Sequence, residues 1–253
     1  MTFLIFIFGL CIGSFLNVII YRWSRGLSIR NPLFSFCPHC GNILKWYHNI
    51  PIISYIILRG KCAYCKAPIS LKYPLVELLT AFLFLWVYIK FKSLYGWFTF
   101  FGFAFYVLTL ILTSFIDLEI REIPDKLSLS LIFIGWIFSL FGLNPFVDFI
   151  TSLLSGFAGV GLLFLINELY YQFSKREGMG MGDFKLMGGI GAFLGYKSFY
   201  WILMLASITG VLAFFGVYLW QRTRGVNKKL DLKTEIPFGP FLALASLLYF
   251  LLI

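Results

Sequence analysis

The chain has 253 residues, 60% of them apolar and only 13% charged, with a mean hydropathy of +0.88. A soluble domain of this length carries roughly twice that charge, so an ordinary water-soluble fold is excluded. The net charge of +10 follows the loops of a membrane protein, and no stacking platform or nucleic-acid motif accompanies it, so no nucleic-acid partner is expected.

Apolar periodicity and length predict eight helices, near 2–21, 74–91, 97–116, 126–142, 147–171, 183–195, 198–220 and 236–253. Most approach the roughly 20 residues that cross a hydrocarbon core. The first lacks a basic segment before it and a small-x-small cleavage site after it, so it reads as a retained helix rather than a signal peptide. Its Gly13-Ser14 pair allows close helix packing, and Asn17 is expected to bond a neighbouring helix. The sixth is short and rich in Gly188, Gly189, Gly191 and Gly195, and a tight hairpin around Gly195-Tyr196-Lys197 is expected to separate it from the seventh.

Segment 22–73 carries Cys37-Pro38-His39-Cys40 and Cys62-Ala63-Tyr64-Cys65, with 21 residues between the pairs. Two C-x-x-C knuckles, followed by Gly41 and Lys66, fit a Cys₄ zinc ribbon of Cys37, Cys40, Cys62 and Cys65. Four thiolates leave no open position for a catalytic water, so the zinc is expected to be structural, and much of the insert's folding free energy comes from it. Disulfides are not expected on a reducing face. Cys11 reads as a buried small residue, and His39 and His48 as hydrogen-bonded side chains rather than ligands. The segments Trp46–Pro51 and Ile52–Tyr55 are expected to rest on the membrane surface.

Eighteen of the 21 Lys and Arg fall in this insert and in the loops around 117–126, 172–185 and 221–235, leaving Lys90, Lys92 and Lys197 on the other side. The positive-inside rule makes the first set cytoplasmic. The expected fold is therefore an all-α polytopic membrane protein of about eight transmembrane helices with a small cytoplasmic zinc-ribbon-like insert. Its parts are a first transmembrane helix (1–21), the insert (22–73) and a membrane core of seven helices (74–253).

Carboxylates beside hydrocarbon are costly and mark function. Asp117 ends the apolar run Val107–Ile116; alone, it reads equally as a catalytic group or a solvated helix end. Asp125 follows Pro124, the position of an N-cap. Asp183 closes Gly178-Met179-Gly180-Met181-Gly182-Asp183, where glycines permit positive φ or close backbone approach. The following helix aims its positive end at that carboxylate, with Lys185 adding to the field. The carboxylate argues against a phosphate loop, and no Lys-Ser or Lys-Thr pair completes one. Two converging aspartates can share a proton and activate water, which is aspartic-protease chemistry at a membrane surface. Glu77 and Glu168 are each either structural hydrogen-bond partners or parts of a polar pocket. Intramembrane carboxylates and broken Gly-rich helices also suit ion-coupled transport, but the two halves show no repeat. A non-catalytic scaffold docking through its zinc insert is a third class.

Several motifs in order give a more specific reading. Gly13–Arg22, the paired C-x-x-C insert with Asn49-Ile50-Pro51, Arg59–Cys62, Tyr73–Glu77, Asp117–Asp125, Gly178–Leu186 and Ile236–Pro240 resemble the bacterial type IV prepilin peptidases, a GxGD aspartyl protease family, over essentially the full length. The resemblance implies an inner-membrane enzyme with catalytic Asp117 and Asp183 and supporting Gly180, Gly182 and Lys185. It implies prepilin and type II pseudopilin substrates whose short basic leader is removed after a Gly on the cytoplasmic side. Members with the insert also methylate the new N-terminus from S-adenosylmethionine. No methyl-donor motif is readable, and Glu77 is the one weak candidate. Oligomeric state is left open.

Overall fold

The computed structural model describes residues 1–175, 178–223 and 237–253. Arg176, most of the basic stretch 221–235 and Ile236, all used in the sequence reading, lie outside the described residues, as do the side chains of Arg222 and Thr223. The described residues are helical with no strand. The helices are α1 (Thr2–Trp23), α2 (Ile53–Ile57), α3 (Lys72–Val87), α4 (Ser93–Ile120), α5 (Asp125–Leu140), α6 (Phe149–Ser174), α7 (Met181–Leu194), α8 (Phe199–Thr223) and α9 (Gly239–Leu252). A helix stands at each of the eight places expected from the sequence. Five spans, Thr2–Trp23, Lys72–Lys92, Tyr95–Ile120, Phe149–Ser174 and Tyr196–Leu219, are long and apolar enough to cross a membrane, while Gly239–Leu252 is apolar but shorter.

The chain divides into two compact units, Met1–Leu112 and Thr113–Ile253. In the first, α1 packs on α3 through residues spaced one helical turn apart. A Cβ placed on Gly9 would lie 2.7 Å from the Cα of Ala81, and one on Gly13 would lie 2.7 Å from the Cα of Glu77. One turn further, Asn17 Nδ2 donates to the Tyr73 carbonyl at 3.0 Å. The contacts climb α1 while descending α3, so the pair is antiparallel. This close approach permits dispersion contacts where lipid removes the hydrophobic drive to associate. At the exit of α1, buried Arg22 donates to the carbonyls of Ser28, Ile29 and Phe34, fixing the first turn of the insert.

The second unit is arranged around α7. Its glycines admit the α6 backbone and an α5 side chain: a Cβ on Gly191 would lie 2.5 Å from the Ser155 carbonyl oxygen, and one on Gly189 would lie 2.6 Å from Leu131 Cδ2. Conversely, a Cβ on Gly159 of α6 would lie 2.7 Å from the Met187 carbonyl oxygen. Ser152 Oγ donates to the Ala192 carbonyl at 2.7 Å and Asn144 Nδ2 to that of Phe193 at 3.0 Å. These bonds absorb the last carbonyls of α7, which have no partner within the helix. Gly195, at φ 77°, ends α7. A single turn (Tyr196–Ser198) then leads into α8, the expected hairpin. The glycine content that made this helix read as weak is what lets it run through the interior.

Adding volume where α1 meets α3 displaces one backbone from the other. Gly13→Leu is expected to lower stability by about 1–3 kcal/mol, seen as a reduced thermal midpoint of the purified protein in detergent.

Candidate active site

Asp117 occupies the last turn of α4 and Asp183 the first turn of α7. Both are buried, and Asp117 Oδ2 and Asp183 Oδ1 have no hydrogen-bond partner among the described residues. The two carboxyl groups stand within electrostatic reach of each other. Ile123 and Gly239 help bring their surroundings together. A Cβ on Gly182 would lie 2.8 Å from Ile123 Cβ, while one on Gly239 would lie 2.8 Å from Ile123 Cδ1 and 2.6 Å from Asp117 Oδ2. Bare backbone at 182 and 239 therefore allows the starts of α7 and α9 to close around the Ile123 side chain and the Asp117 carboxyl. Of the two roles open to the Gly-rich turn, close approach is observed at Gly178 and Gly182, and none of Gly178, Gly180 and Gly182 has positive φ. A Cβ on Gly180 would meet no atom within 4 Å, so the turn opens to free space there.

Asn167, on α6, has a role that sequence reading missed. Its Oδ1 accepts from the backbone N–H groups of Gly178 at 2.9 Å and Met179 at 3.0 Å, tethering the turn that leads into Asp183. Neighbouring Glu168 is exposed.

Asp125 departs from expectation. Pro124 holds the N-cap position of α5 and no side chain caps the helix, while Asp125 Oδ1 accepts from Lys185 Nζ at 2.6 Å. Proline's fixed φ starts the helix one residue early, freeing Asp125 to pair with α7. Lys185 is thus engaged with Asp125 rather than directed at Asp183. With Asp125 63% exposed, the pair contributes at most about 1 kcal/mol.

Within the first unit, Glu77 is buried and its Oε2 accepts from the Ile52 N–H at 2.8 Å, with Ser14 as a second partner. Of the two roles left open for Glu77, this is the structural one: it ties the insert to α3.

The four insert cysteines converge. The sulfurs of Cys37, Cys40, Cys62 and Cys65 all lie within 4.8 Å of one another, and Cys37 Sγ and Cys65 Sγ are 3.8 Å apart. A tetrahedral zinc with bonds of about 2.3 Å sets its sulfurs about 3.8 Å apart. Each pair sits on the same backbone hook: Cys37 N–H to Asn42 O and Gly41 N–H to Cys37 O, then Cys62 N–H to Ala67 O and Lys66 N–H to Cys62 O. Gly41 and Lys66 both take positive φ. Each knuckle carries one isolated antiparallel bridge, Phe36 with Ile43 and Lys61 with Pro68. The N–H groups of Cys65 and Tyr64 hold the Cys62 thiol down to about 6. Against the pull of the Ala67 N–H, desolvation and then the crowded sulfurs of Cys62, Cys40 and Cys37 push Cys65 up to about 11. Ionising all four requires added positive charge, which a dication supplies. Cys11 is exposed rather than buried among the described residues.

Comparison with known proteins matches two regions of the chain. Residues 7–91 match the family described as the bacterial Peptidase A24 N-terminal domain, and residues 104–215 match the Type IV leader peptidase family. Proteins named prepilin leader peptidase/N-methyltransferase are 37% identical in Aeromonas hydrophila, over 96% of this chain and 88% of that protein, and 37% identical in Legionella pneumophila, over the same shares. The namesake of Neisseria gonorrhoeae is 37% identical over 82% of this chain and 79% of its own. No solved structure matches. The chain belongs to the type IV leader peptidase family.

The cysteine geometry predicts about one zinc per purified chain. Cys→Ser at position 37, 40, 62 or 65 is expected to lower metal content, measured by elemental analysis, together with thermal stability.

Proposed function

We propose that the chain is an integral-membrane aspartic endopeptidase that cuts the short basic leader from type IV prepilins and type II pseudopilins, with Asp117 and Asp183 as its catalytic pair. The observation carrying this reading is that each aspartate is buried at a helix end with one carboxyl oxygen unpartnered. An unpaired buried carboxyl is expensive, and a site that holds and activates water accounts for it. One carboxylate takes a proton from water as the oxygen attacks the scissile carbonyl. The other, protonated, donates to the carbonyl oxygen, and the amine leaves with a proton as the bond breaks. The pair titrates as a unit, so the two roles are not divided between the residues. The free space at Gly180 suits an extended substrate backbone passing the start of α7.

In this reading all eight helices cross the bacterial inner membrane, with the active site on the cytoplasmic face, as the loop charges favour. The chain divides into a first transmembrane helix (1–21), a cytoplasmic Cys₄ insert (22–73) and a seven-helix peptidase core (74–253). The insert carries structural zinc. The names of the relatives and the presence of the insert support a second activity, methylation of the new N-terminus. S-adenosylmethionine supplies an electrophilic methyl group on a sulfonium; the residues that would hold it are unassigned.

Asp117→Asn and Asp183→Asn should each reduce prepilin cleavage in detergent by about 10²–10⁴-fold or more, with membrane insertion intact. Full activity in either variant overturns the assignment. Gly239→Ala, which crowds Asp117 Oδ2, should impair the same assay.

Methyl transfer needs a neutral amine in line with a sulfonium, whereas the aspartate pair needs water, so the two activities should separate. Asp117→Asn is expected to methylate a synthetic mature N-terminus beginning with Phe, as read by mass spectrometry. A processed but unmethylated pilin in the presence of ample methyl donor would identify a peptidase only.

A further inference from the structure

Between the two cysteine knuckles lies a short helix with an almost wholly aliphatic surface. α2 exposes Ile53, Ile56 and Ile57, the last two by 67% and 72%, and the turn before it exposes Trp46 by 78%. Contiguous apolar surface of this kind marks an interaction site.

Its height relative to the membrane follows from one hydrogen bond. The Ile52 N–H, at the N-cap of α2, is bonded to Glu77, which lies about 7.5 Å along α3 from Lys72 at 1.5 Å per residue. The span Lys72–Lys92 has 21 residues, about 31 Å of helix, which nearly equals the hydrocarbon core. The start of α2 is therefore level with the second turn of a membrane helix, just inside the boundary between headgroups and acyl chains. The chain around it is basic throughout: residues 22–73 contain eight Lys and Arg and no Asp or Glu. Lys45, Arg59 and Lys61, which flank the apolar surface, are exposed, and Lys45 Nζ stands 5.8 Å from the centre of the Tyr47 ring. Isoleucines and a tryptophan bordered by cations match the chemistry of an acyl boundary beneath anionic headgroups. A basic peptide would be repelled by this surface.

We propose that α2 and Trp46 form an in-plane anchor that seats the insert on an anionic phospholipid bilayer. Its attachment is hydrophobic through Ile53, Ile56 and Ile57 and electrostatic through Lys45, Arg59 and Lys61. The anchor uses none of the residues assigned to peptide cleavage and does not depend on the proposed peptidase activity.

The test is hydrogen exchange of the full chain in nanodiscs of phosphatidylcholine alone or with phosphatidylglycerol, one chain per disc. Amides of residues 46–58 should exchange at least about tenfold more slowly in the anionic discs, and 0.5 M salt should remove most of that difference. Ile53→Ser/Ile56→Ser/Ile57→Ser should abolish the protection in both bilayers, while zinc content and exchange at 36–44 and 61–69 stay unchanged, which shows that the insert is still folded. Equal exchange in neutral and anionic discs overturns the proposal. So does protection that appears only when two chains share a disc, because that assigns the surface to a second copy. If the triple variant loses its zinc, Lys45→Gln/Arg59→Gln/Lys61→Gln supplies the decisive arm: unchanged exchange in anionic discs overturns the anchor.

Discussion

The second unit depends on backbone-to-backbone approach, which only glycine allows. α7 carries Asp183 and is buried nearly throughout. A helix so enclosed needs either large cavities around it or very small side chains on it. Gly188, Gly189 and Gly191 take the second course, and Gly135 and Gly159 do the same from the facing helices. The closeness that results has a consequence for the ends of the helix. With Ser152 and Asn144 bonded to its last carbonyls, α7 cannot slide along its axis, so the position of Asp183 in its first turn is fixed from the far end as well as the near one.

The same device recurs beside the carboxyls. Gly182 and Gly239 yield space to Ile123, an apolar residue placed between two elements that must converge. Asn167 and the Asp125–Lys185 pair hold the perimeter. This polar perimeter costs little to keep in water, whereas the unpartnered carboxyl oxygens at the centre are unfavourable unless they are used. Stability is drawn from glycine packing around the site, which leaves one oxygen of each aspartate unpartnered.

Much of this was legible in the sequence, and what was not has a common cause. Asp117 and Asp183 are conspicuous because each ends or opens an apolar run, and the cysteines because C-x-x-C spacing is a local geometric requirement. Helix positions followed from apolar runs of the right length. Apart from Cys11, which was expected to be buried and is exposed, the failures are pairings at a distance. Lys185 and Asp125 are 60 residues apart, so the sequence presents one as a field charge and the other as a cap. Asn167 reaches amides 11 and 12 residues ahead, and nothing in its own helix distinguishes it from a polar surface residue. Ile123 looked like an ordinary apolar residue in a charged loop. Even the Gly-rich turn was only half readable, since composition does not distinguish glycine needed for positive φ from glycine needed for contact.

In the first unit, Glu77 links three requirements in one side chain. It lies where α1 and α3 come closest, with Gly13 against its Cα, and its carboxylate holds Ile52, whose own φ is 59°. A β-branched residue in the left-handed region is strained, so the bond to Glu77 offsets a conformation that the chain would otherwise leave. That conformation turns the insert back toward α3 before α2 begins. The cysteine knuckles on either side then act as fixed ends: each hook orders only its own few residues, and the segment between them is tied to α3 by Glu77. The backbone hooks order the cysteine knuckles, and the Glu77 carboxylate ties the segment between them to α3.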